Sequence, residues 1–234
     1  MSDIAANLAD VKTRIGAACE KSGRSVDEIT LIAVSKTFSA TDVHHAYEAG
    51  QLHFGENKQQ EAEGKIPLCP SSLDWHFIGQ LQRNKVRKVL PMFSMIHSID
   101  SLRLASYTND VAQELDLLPK VFLQVNLAGE LSKGGFSPEE LWASWHTLMG
   151  LNRLKIQGLM TVPPAADQPE HSRHWFAGMK KLRDALQVQT GALLPSLSMG
   201  MSGDYSIAIE EGATHIRVGA AIFGGRDYGA TNAP

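Results

Sequence analysis

Lys36 is the residue of this chain with the clearest chemical potential. It follows a strand-like apolar run at residues 31–35 and precedes a helix signal that begins at residues 37–39. Apolar surroundings disfavour the charged ammonium and so lower the pKa of a lysine. A neutral amine can attack an aldehyde to form a Schiff base, and pyridoxal phosphate is the obvious aldehyde in biology. Lys36 is therefore a candidate cofactor anchor; the alternative is a lysine that extends to solvent from a strand end.

Two glycine-containing segments could hold a phosphate group. Residues 198–204 carry two glycines and two serines immediately before a predicted helix. Unpaired N–H groups at a helix start bind anions, and serine hydroxyls add donors, although a simply capped loop explains this segment equally well. In the second segment, residues 217–221, Gly219 permits close backbone approach and a helix begins near Ala221.

Arg217 lies inside an otherwise apolar strand, where a permanent positive charge needs a partner. One interpretation is a salt bridge within the fold. The other is a hydrogen bond to the pyridine nitrogen of the cofactor. An arginine there makes the ring a weaker electron sink than an aspartate would, which disfavours transamination and leaves racemisation or binding without turnover.

These residues must be positioned by a regular alternation of strands and helices. The predicted strands are residues 31–35, 52–54, 75–78, 95–99, 121–125, 156–161, 196–198 and 215–218. Repeated β-then-α units imply parallel strands with right-handed crossovers, and eight of them predict an α/β fold that is a single (β/α)₈ TIM barrel. An open doubly wound sheet is the alternative, but no Gly-x-Gly-x-x-Gly follows the first strand. In a barrel all strand exits meet at one face, and loops seven and eight often bind phosphate.

Composition excludes several classes of protein. The 234 residues are 43% hydrophobic and 20% charged, with a net charge of −3 and no block of like charges. We therefore expect neither a nucleic-acid partner nor a membrane surface. Two distant cysteines, no signal peptide and no apolar run of membrane-spanning length predict a cytoplasmic protein with reduced thiols.

Other polar residues give weaker signals. His171 and His174 have the spacing of helical metal ligands but lack a third ligand nearby, so no metal site is predicted. His76 could face the cofactor or pack inside the barrel. Lys133 lies at the exit of the fifth strand, where it either reaches an anion or is a solvated loop lysine.

Five motifs in fixed order resemble one family, the pyridoxal phosphate homeostasis proteins, also called YggS-like or PROSC-like. They are Ala-Val-Ser-Lys at 33–36, Phe-Gly-Glu-Asn at 54–57, Trp-His-Phe-Ile-Gly-Gln-Leu-Gln-Arg-Asn-Lys at 75–85, Ser-Met-Gly-Met-Ser at 198–202 and Arg-Val-Gly at 217–219. The resemblance implies a barrel similar to the N-terminal domain of alanine racemase. It implies an internal aldimine on Lys36, a ring partner in Arg217 and a place near the cofactor for Asn57. The phosphate would be held by residues 198–202 and 219–220. Family chains often carry Thr or Ser at the position of Ala220, so only the backbone N–H remains here.

The predicted cofactor-binding residues are Lys36, Asn57, Ser198, Met199, Gly200, Ser202, Arg217, Gly219 and Ala220. We expect the barrel to span residues 1–228 and residues 229–234 to form a flexible tail. The expected function is a monomeric carrier that buffers this form of vitamin B6 and passes it to apo-enzymes, with no catalytic residue unless Lys36 is one. The alternative is an amino-acid racemase, which needs an acid–base group on each face of the substrate. In racemases with this barrel, the second group is a tyrosine from an additional domain, for which this chain leaves no room.

Overall fold

A computed structural model describes residues 3–130 and 133–225. The strands are β1 Thr30–Val34, β2 His53–Glu56, β3 Asp74–Phe77, β4 Met95–Ile99, β5 Lys120–Gln124, β6 Lys155–Met160, β7 Ser196–Met201 and β8 His215–Val218. The helices are α1 Ile4–Ser22, α2 Ala40–Glu48, α3 Gln59–Lys65, α4 Val86–Val89, α5 Leu102–Glu114, α6 Pro138–Met149, α7 Arg173–Thr190, α8 Tyr205–Glu210 and α9 Ala220–Phe223. The predicted tail, residues 229–234, lies outside the described residues.

The eight strands form one closed barrel in sequence order. Every neighbouring pair is parallel, and β8 returns to β1, where Thr30 pairs with His215 and Ala33 with Val218. The predicted (β/α)₈ barrel is therefore confirmed, and the open doubly wound sheet is wrong. Because all strands run in one direction, their carboxyl ends gather the predicted site residues at one face.

Helix α1 shows how local sequence signals connect to the site. The side chain of Asp3 accepts a hydrogen bond from the N–H of Ala6, and Gly23 ends the helix at a φ of 67°. The buried face repeats at helical spacing and includes Leu8, Val11 and Ile15. This face packs against α8 and α9, the helices that follow the two phosphate candidates. Helix α1 thus supports the part of the barrel wall behind those segments.

The apolar core has two layers. The larger layer fills the space between the strands and the surrounding helices, as expected for parallel strands buried on both faces. The smaller layer lies inside the barrel and contains Met95, Phe122 and Met160, packed against Val162. This interior also contains the buried polar residues His76, His97, Ser198 and Arg217.

Strand β7 is longer than the predicted 196–198. It continues to Met201, and its pairing with β8 shifts register because three residue steps from Ser198 to Met201 oppose two steps on β8. Gly200 has a φ of 94°, and a Cβ there would lie 2.6 Å from the Cβ of Ala208 on α8. A glycine is needed at this position because the irregular strand and α8 approach each other so closely.

Candidate functional site

A cleft of about 400 Å³ opens at the carboxyl ends of the strands. Its lining residues are Val34, Lys36, Asn57, Ile78, Val162, Met201, Ser202, Gly203, Arg217, Gly219 and Ala220. Six of the nine predicted cofactor residues line this cleft. The structure thus brings together side chains from the first, second, seventh and eighth strand exits, as the barrel topology requires.

Lys36 occupies a tight turn at the end of β1. The N–H of Phe38 donates to the carbonyl of Ser35 at 3.0 Å, so Lys36 and Thr37 are the two central residues of the turn. Lys36 is half-buried, while Ser35 is completely buried. The turn therefore places a long amine-bearing side chain between the barrel wall and the open cleft.

Arg217 is buried at the floor of the cleft, with 5% of its surface exposed. Its Nη1 donates to Ser198 Oγ at 2.6 Å and its Nη2 donates to the carbonyl of Thr161 at 2.9 Å. Within residues 3–130 and 133–225, no carboxylate forms an ion pair with it, so the salt-bridge interpretation of this arginine is not supported there. Burial lowers the pKa of Arg217 to about 10, and the guanidinium remains charged at neutral pH.

Ser202 and the start of α9 form the candidate phosphate cradle. Ser202 Oγ accepts long hydrogen bonds from the N–H of Gly219 at 3.2 Å and the N–H of Ala221 at 3.4 Å. Helix α9 begins at Ala220, so its first N–H groups have no acceptor within the helix. Gly203 is exposed, and a Cβ there would meet nothing within 4 Å. Hydroxyl and amide donors therefore converge at this end of the cleft.

Three predicted phosphate residues do not line the cleft. Ser198, Met199 and Gly200 are buried because β7 extends through them. Ser198 contacts His97 and Arg217 inside the barrel, and Met199 packs in the outer apolar core. Contact of these three residues with phosphate remains a prediction. In the structure Ser198 instead accepts a hydrogen bond from Arg217 and so supports its guanidinium.

Asn57 lines the cleft immediately after β2 and is held close to the end of β3. A Cβ on Gly79 would lie only 2.0 Å from the carbonyl oxygen of Asn57. Because Gly79 has no side chain, the backbone after β3 can approach the backbone after β2 closely. This approach fixes the position of the Asn57 backbone.

A chain of histidines inside the barrel was missed by sequence reasoning. His53 Nδ1 lies 3.2 Å from His76 Nε2, His76 Nδ1 lies 3.0 Å from His97 Nε2, and His97 Nδ1 lies 2.7 Å from Ser198 Oγ. His76 thus packs in the barrel, which decides between the two interpretations left open above. The available signal was a histidine within each of four predicted strand regions, the fourth being His215.

Burial controls the charge of these imidazoles. Desolvation lowers the pKa of His76 and of His97 well below the usual value, and it lowers the pKa of His215 to about 4. All three rings are therefore neutral at pH 7. His76 and His97 therefore support Arg217 through Ser198 without adding positive charge to the cleft.

Lys133 borders a second, smaller cleft of about 230 Å³ that shares Ile78 and Val162 with the first. Its Nζ donates to the carbonyl of Pro163 at 2.9 Å and pairs with Glu130 at 2.6 Å. Lys133 is thus a partly exposed loop lysine with local partners, at the edge of the mouth.

None of the helices in residues 3–130 and 133–225 is both long and apolar enough to cross a membrane. In the same ranges, no three histidine, cysteine or carboxylate side chains come together in a way that could hold a metal ion. His171 and His174 are exposed at the start of α7.

Comparisons with known proteins identify the family. Residues 3–227 match the family described as alanine racemase, N-terminal domain. A pyridoxal phosphate homeostasis protein of Aquifex aeolicus is 40% identical over 222 residues, covering 94% of this chain and 97% of that protein. The Escherichia coli K12 protein of the same name is 42% identical over 242 residues, covering 97% and 99%. The chain belongs to the pyridoxal phosphate homeostasis protein family.

Solved structures with the same fold include a protein that is similar in sequence as well. PipY of Synechococcus elongatus, described without PLP and with PLP bound, has TM-scores of 0.86 and 0.83 at 39% identity, covering 94% of this chain and 100% of PipY. An alanine racemase of Clostridium difficile has a TM-score of 0.71 at 14% identity, covering 96% of this chain and 57% of the racemase. That second likeness concerns the fold alone.

Proposed function

We propose that this chain binds pyridoxal 5′-phosphate, attached covalently to Lys36, and that it carries and buffers this cofactor. The observation that carries the proposal is the convergence of Lys36, Arg217, Ser202 and Gly219 on one cleft of about 400 Å³. That volume falls within the range of about 300–1,000 Å³ that is usual for small-molecule sites.

The donor groups fit the cofactor part by part. Ser202 and the N–H groups of residues 219–221 would hold the phosphate, in the place that barrels often use for this purpose. Lys36 would bind the aldehyde, and Asn57 would border the ring. When bound, the cofactor supplies a reactive aldehyde on an electron-withdrawing ring.

Arg217 argues against transamination as the function of this site. Its guanidinium stays charged at neutral pH and can only donate hydrogen bonds, so it fits a ring nitrogen that carries no proton. A ring held in that state withdraws electrons weakly. Arg217 therefore leaves two functions, carrying the cofactor and racemisation, which the relatives and the exchange experiment below separate.

The relatives support the carrier. Those at about 40% identity are named for pyridoxal phosphate homeostasis, and PipY has been solved with PLP bound. The racemase alternative rests on the match to the family described as alanine racemase, N-terminal domain, and on a fold likeness at 14% identity. We propose in addition that the chain acts as a monomer in the cytoplasm. We also propose that it passes the cofactor to apo-enzymes, since Lys36 is only half-buried at the mouth of the cleft.

Covalent attachment is tested first. The purified protein should be yellow, and borohydride should fix the cofactor to a peptide containing Lys36. Lys36→Ala should lose the absorption band of the bound cofactor, while Lys58→Ala, at an exposed lysine beyond Asn57, should keep it. A Lys36→Ala protein with the full band would show that another residue is the anchor.

Carrier and enzyme are separated by hydrogen exchange. We expect the protein to exchange the α-hydrogen of a panel of amino acids in deuterium oxide far more slowly than an enzyme would, and to reactivate a pyridoxal phosphate-dependent apo-enzyme mixed with it. Exchange at enzyme-like rates that disappears in Lys36→Ala would instead favour the racemase.

A further inference from the structure

Ser35 and Thr37, the neighbours of Lys36 in the sequence, form hydrogen bonds with one charged cluster. We define the charged cluster as Glu56, Glu61 and Lys65. Glu56 is the last residue of β2, and the other two lie on α3. None of the three lines the cleft of about 400 Å³. The cluster therefore does not line the cleft itself, and its hydrogen bonds to Ser35 and Thr37 connect it to the turn that carries Lys36.

Lys65 is the centre of the charged cluster. Only 6% of its side chain is exposed, and its Nζ donates to Ser35 O at 2.7 Å, Glu56 Oε1 at 2.6 Å and Glu61 Oε1 at 2.9 Å. These contacts use all three donors of an ammonium group. A lysine is almost never this buried unless it is paired, so the pattern points to a specific task for its three bonds.

Both neighbours of Lys36 are held by this cluster. Ser35 is fixed twice, since its carbonyl accepts from Lys65 and its Oγ donates to Glu56 Oε1 at 2.7 Å. The N–H of Thr37 donates to Glu61 Oε1 at 2.5 Å. Three hydrogen bonds thus define the course of the backbone through Lys36.

Thr37 needs such support because its backbone is in an unfavourable conformation. Its φ is 69°, in the left-handed region that β-branched residues rarely adopt. The third position of a turn with positive φ is usually glycine or asparagine. A strained residue persists when its surroundings over-determine it, and strain of this kind is concentrated at functional sites.

We propose that the charged cluster is a positioning device for Lys36, with Lys65 as its central positioning residue. This inference rests on the proposed function. In the attachment step, the Lys36 nitrogen bonds to the aldehyde carbon, the aldehyde oxygen leaves as water, and both hydrogens of that water come from the neutral amine. The cluster fixes the turn from which the amine must reach that carbon.

The test separates positioning of Lys36 from the shape of the cleft. Wild type, Lys65→Met and a matched control are compared for binding pyridoxal phosphate and 4′-deoxypyridoxine 5′-phosphate, which has a methyl group in place of the aldehyde and cannot attach. The control is Lys88→Met, because Lys88 also pairs with a glutamate of α3, at 3.3 Å from Glu63, but is 62% exposed.

We expect Lys65→Met to slow covalent attachment about ten- to a hundred-fold, the scale of a misplacement of about 1 Å. The absorption band that reports the linkage gives the rate in a stopped-flow experiment. Affinity for the deoxy analogue should be unchanged, and Lys88→Met should behave as wild type with both ligands. Equal losses for both ligands, or no loss for either, would overturn the proposal. Failure of wild type to bind pyridoxal phosphate would instead refute the proposed function.

A second variant covers the case in which Lys65→Met does not fold. Glu61→Ala keeps the buried pair of Lys65 and Glu56 but removes the acceptor of the Thr37 N–H. It should also slow attachment, and adding Thr37→Gly should restore the rate, because glycine adopts positive φ without steric cost. If the glycine restores nothing, the turn does not transmit the effect and the proposal fails.

Discussion

Mild acid should destabilise this fold through the histidines inside the barrel, and His215 offers the sharpest test. Its Nδ1 lies 2.9 Å from Thr214 Oγ1, and its ring centroid lies 5.1 Å from that of Phe122. Burial is the main reason that the pKa of His215 falls from 6.5 to about 4. Since this folded-state pKa lies below that of the unfolded chain, the unfolded chain takes up the proton first as the pH falls.

The size of the effect follows from the two pKa values. The contribution of His215 to the free energy of unfolding is complete above about pH 6.5 and is lost progressively down to about pH 4. Between about pH 7.5 and about pH 5.5 the unfolded state gains roughly tenfold, which is about 1.4 kcal/mol. His76 and His97 add losses of the same sign, because burial also lowers the pKa of each.

The measurement is urea-induced unfolding at the two pH values, followed by tryptophan fluorescence. His215→Asn keeps a polar atom near the position of Nδ1 and removes the titrating ring. We expect this variant to lose about 1.4 kcal/mol less than the parent on acidification. His45→Asn, at an exposed position of α2, is the matched control and should lose as much as the parent. The comparison uses the change with pH, so a constant cost of either substitution cancels.

An acid loss in His215→Asn equal to that of the parent would refute the reasoning. It would mean that His215 takes up a proton as easily in the barrel as in the unfolded chain. Neutral rings at His76 and His97 would then lose their explanation as well, since a charged ring beside Phe122 is incompatible with a desolvated interior.

Two further predictions concern the cleft. Ser202→Ala should weaken pyridoxal phosphate binding about ten- to a hundred-fold, because one hydrogen bond to a charged group contributes about 1.5–3 kcal/mol. In equilibrium dialysis the same variant should bind unphosphorylated pyridoxal as tightly as the parent does. Equal weakening of both ligands would show that Ser202 does not hold the phosphate. Gly79→Ala should lower the free energy of unfolding by about 1–3 kcal/mol, because the new Cβ would lie 2.0 Å from Asn57 O. Gly64→Ala, where a Cβ meets nothing within 4 Å, should cause no loss, and an equally stable Gly79→Ala would contradict the close approach.

Strand and helix order could be predicted because the signals are local. Alternation of apolar runs with helical periodicity identified all eight strands. The start of α6 is an example, because the Ser-Pro-Glu-Glu sequence at 137–140 is typical of a helix start and Ser137 and Glu140 form a capping box in the structure. Such signals act over a few residues, so they survive without knowledge of the tertiary fold.

Register and strand length could not be predicted in the same way. The sequence placed the end of β7 near Ser198, whereas pairing with β8 carries the strand to Met201. Gly200 indicated a loop by its residue type, but its positive φ is required by packing against α8. Long-range contacts decide such details, because a strand continues wherever a neighbour supplies hydrogen bonds and space.

The sequence by itself determined the barrel, the lysine at the exit of its first strand and the two segments that are candidates for binding phosphate. Only the tertiary structure decided that Ser202 faces the cleft while Ser198 supports Arg217 from inside the barrel. It alone joined His53, His76 and His97 into one chain, and it alone brought Lys65 to the carbonyl of Ser35. The physical reason is that closing the barrel brings distant parts of the sequence together. A polar side chain then forms its hydrogen bonds with residues across the barrel or on a neighbouring helix, and these residues are distant in sequence.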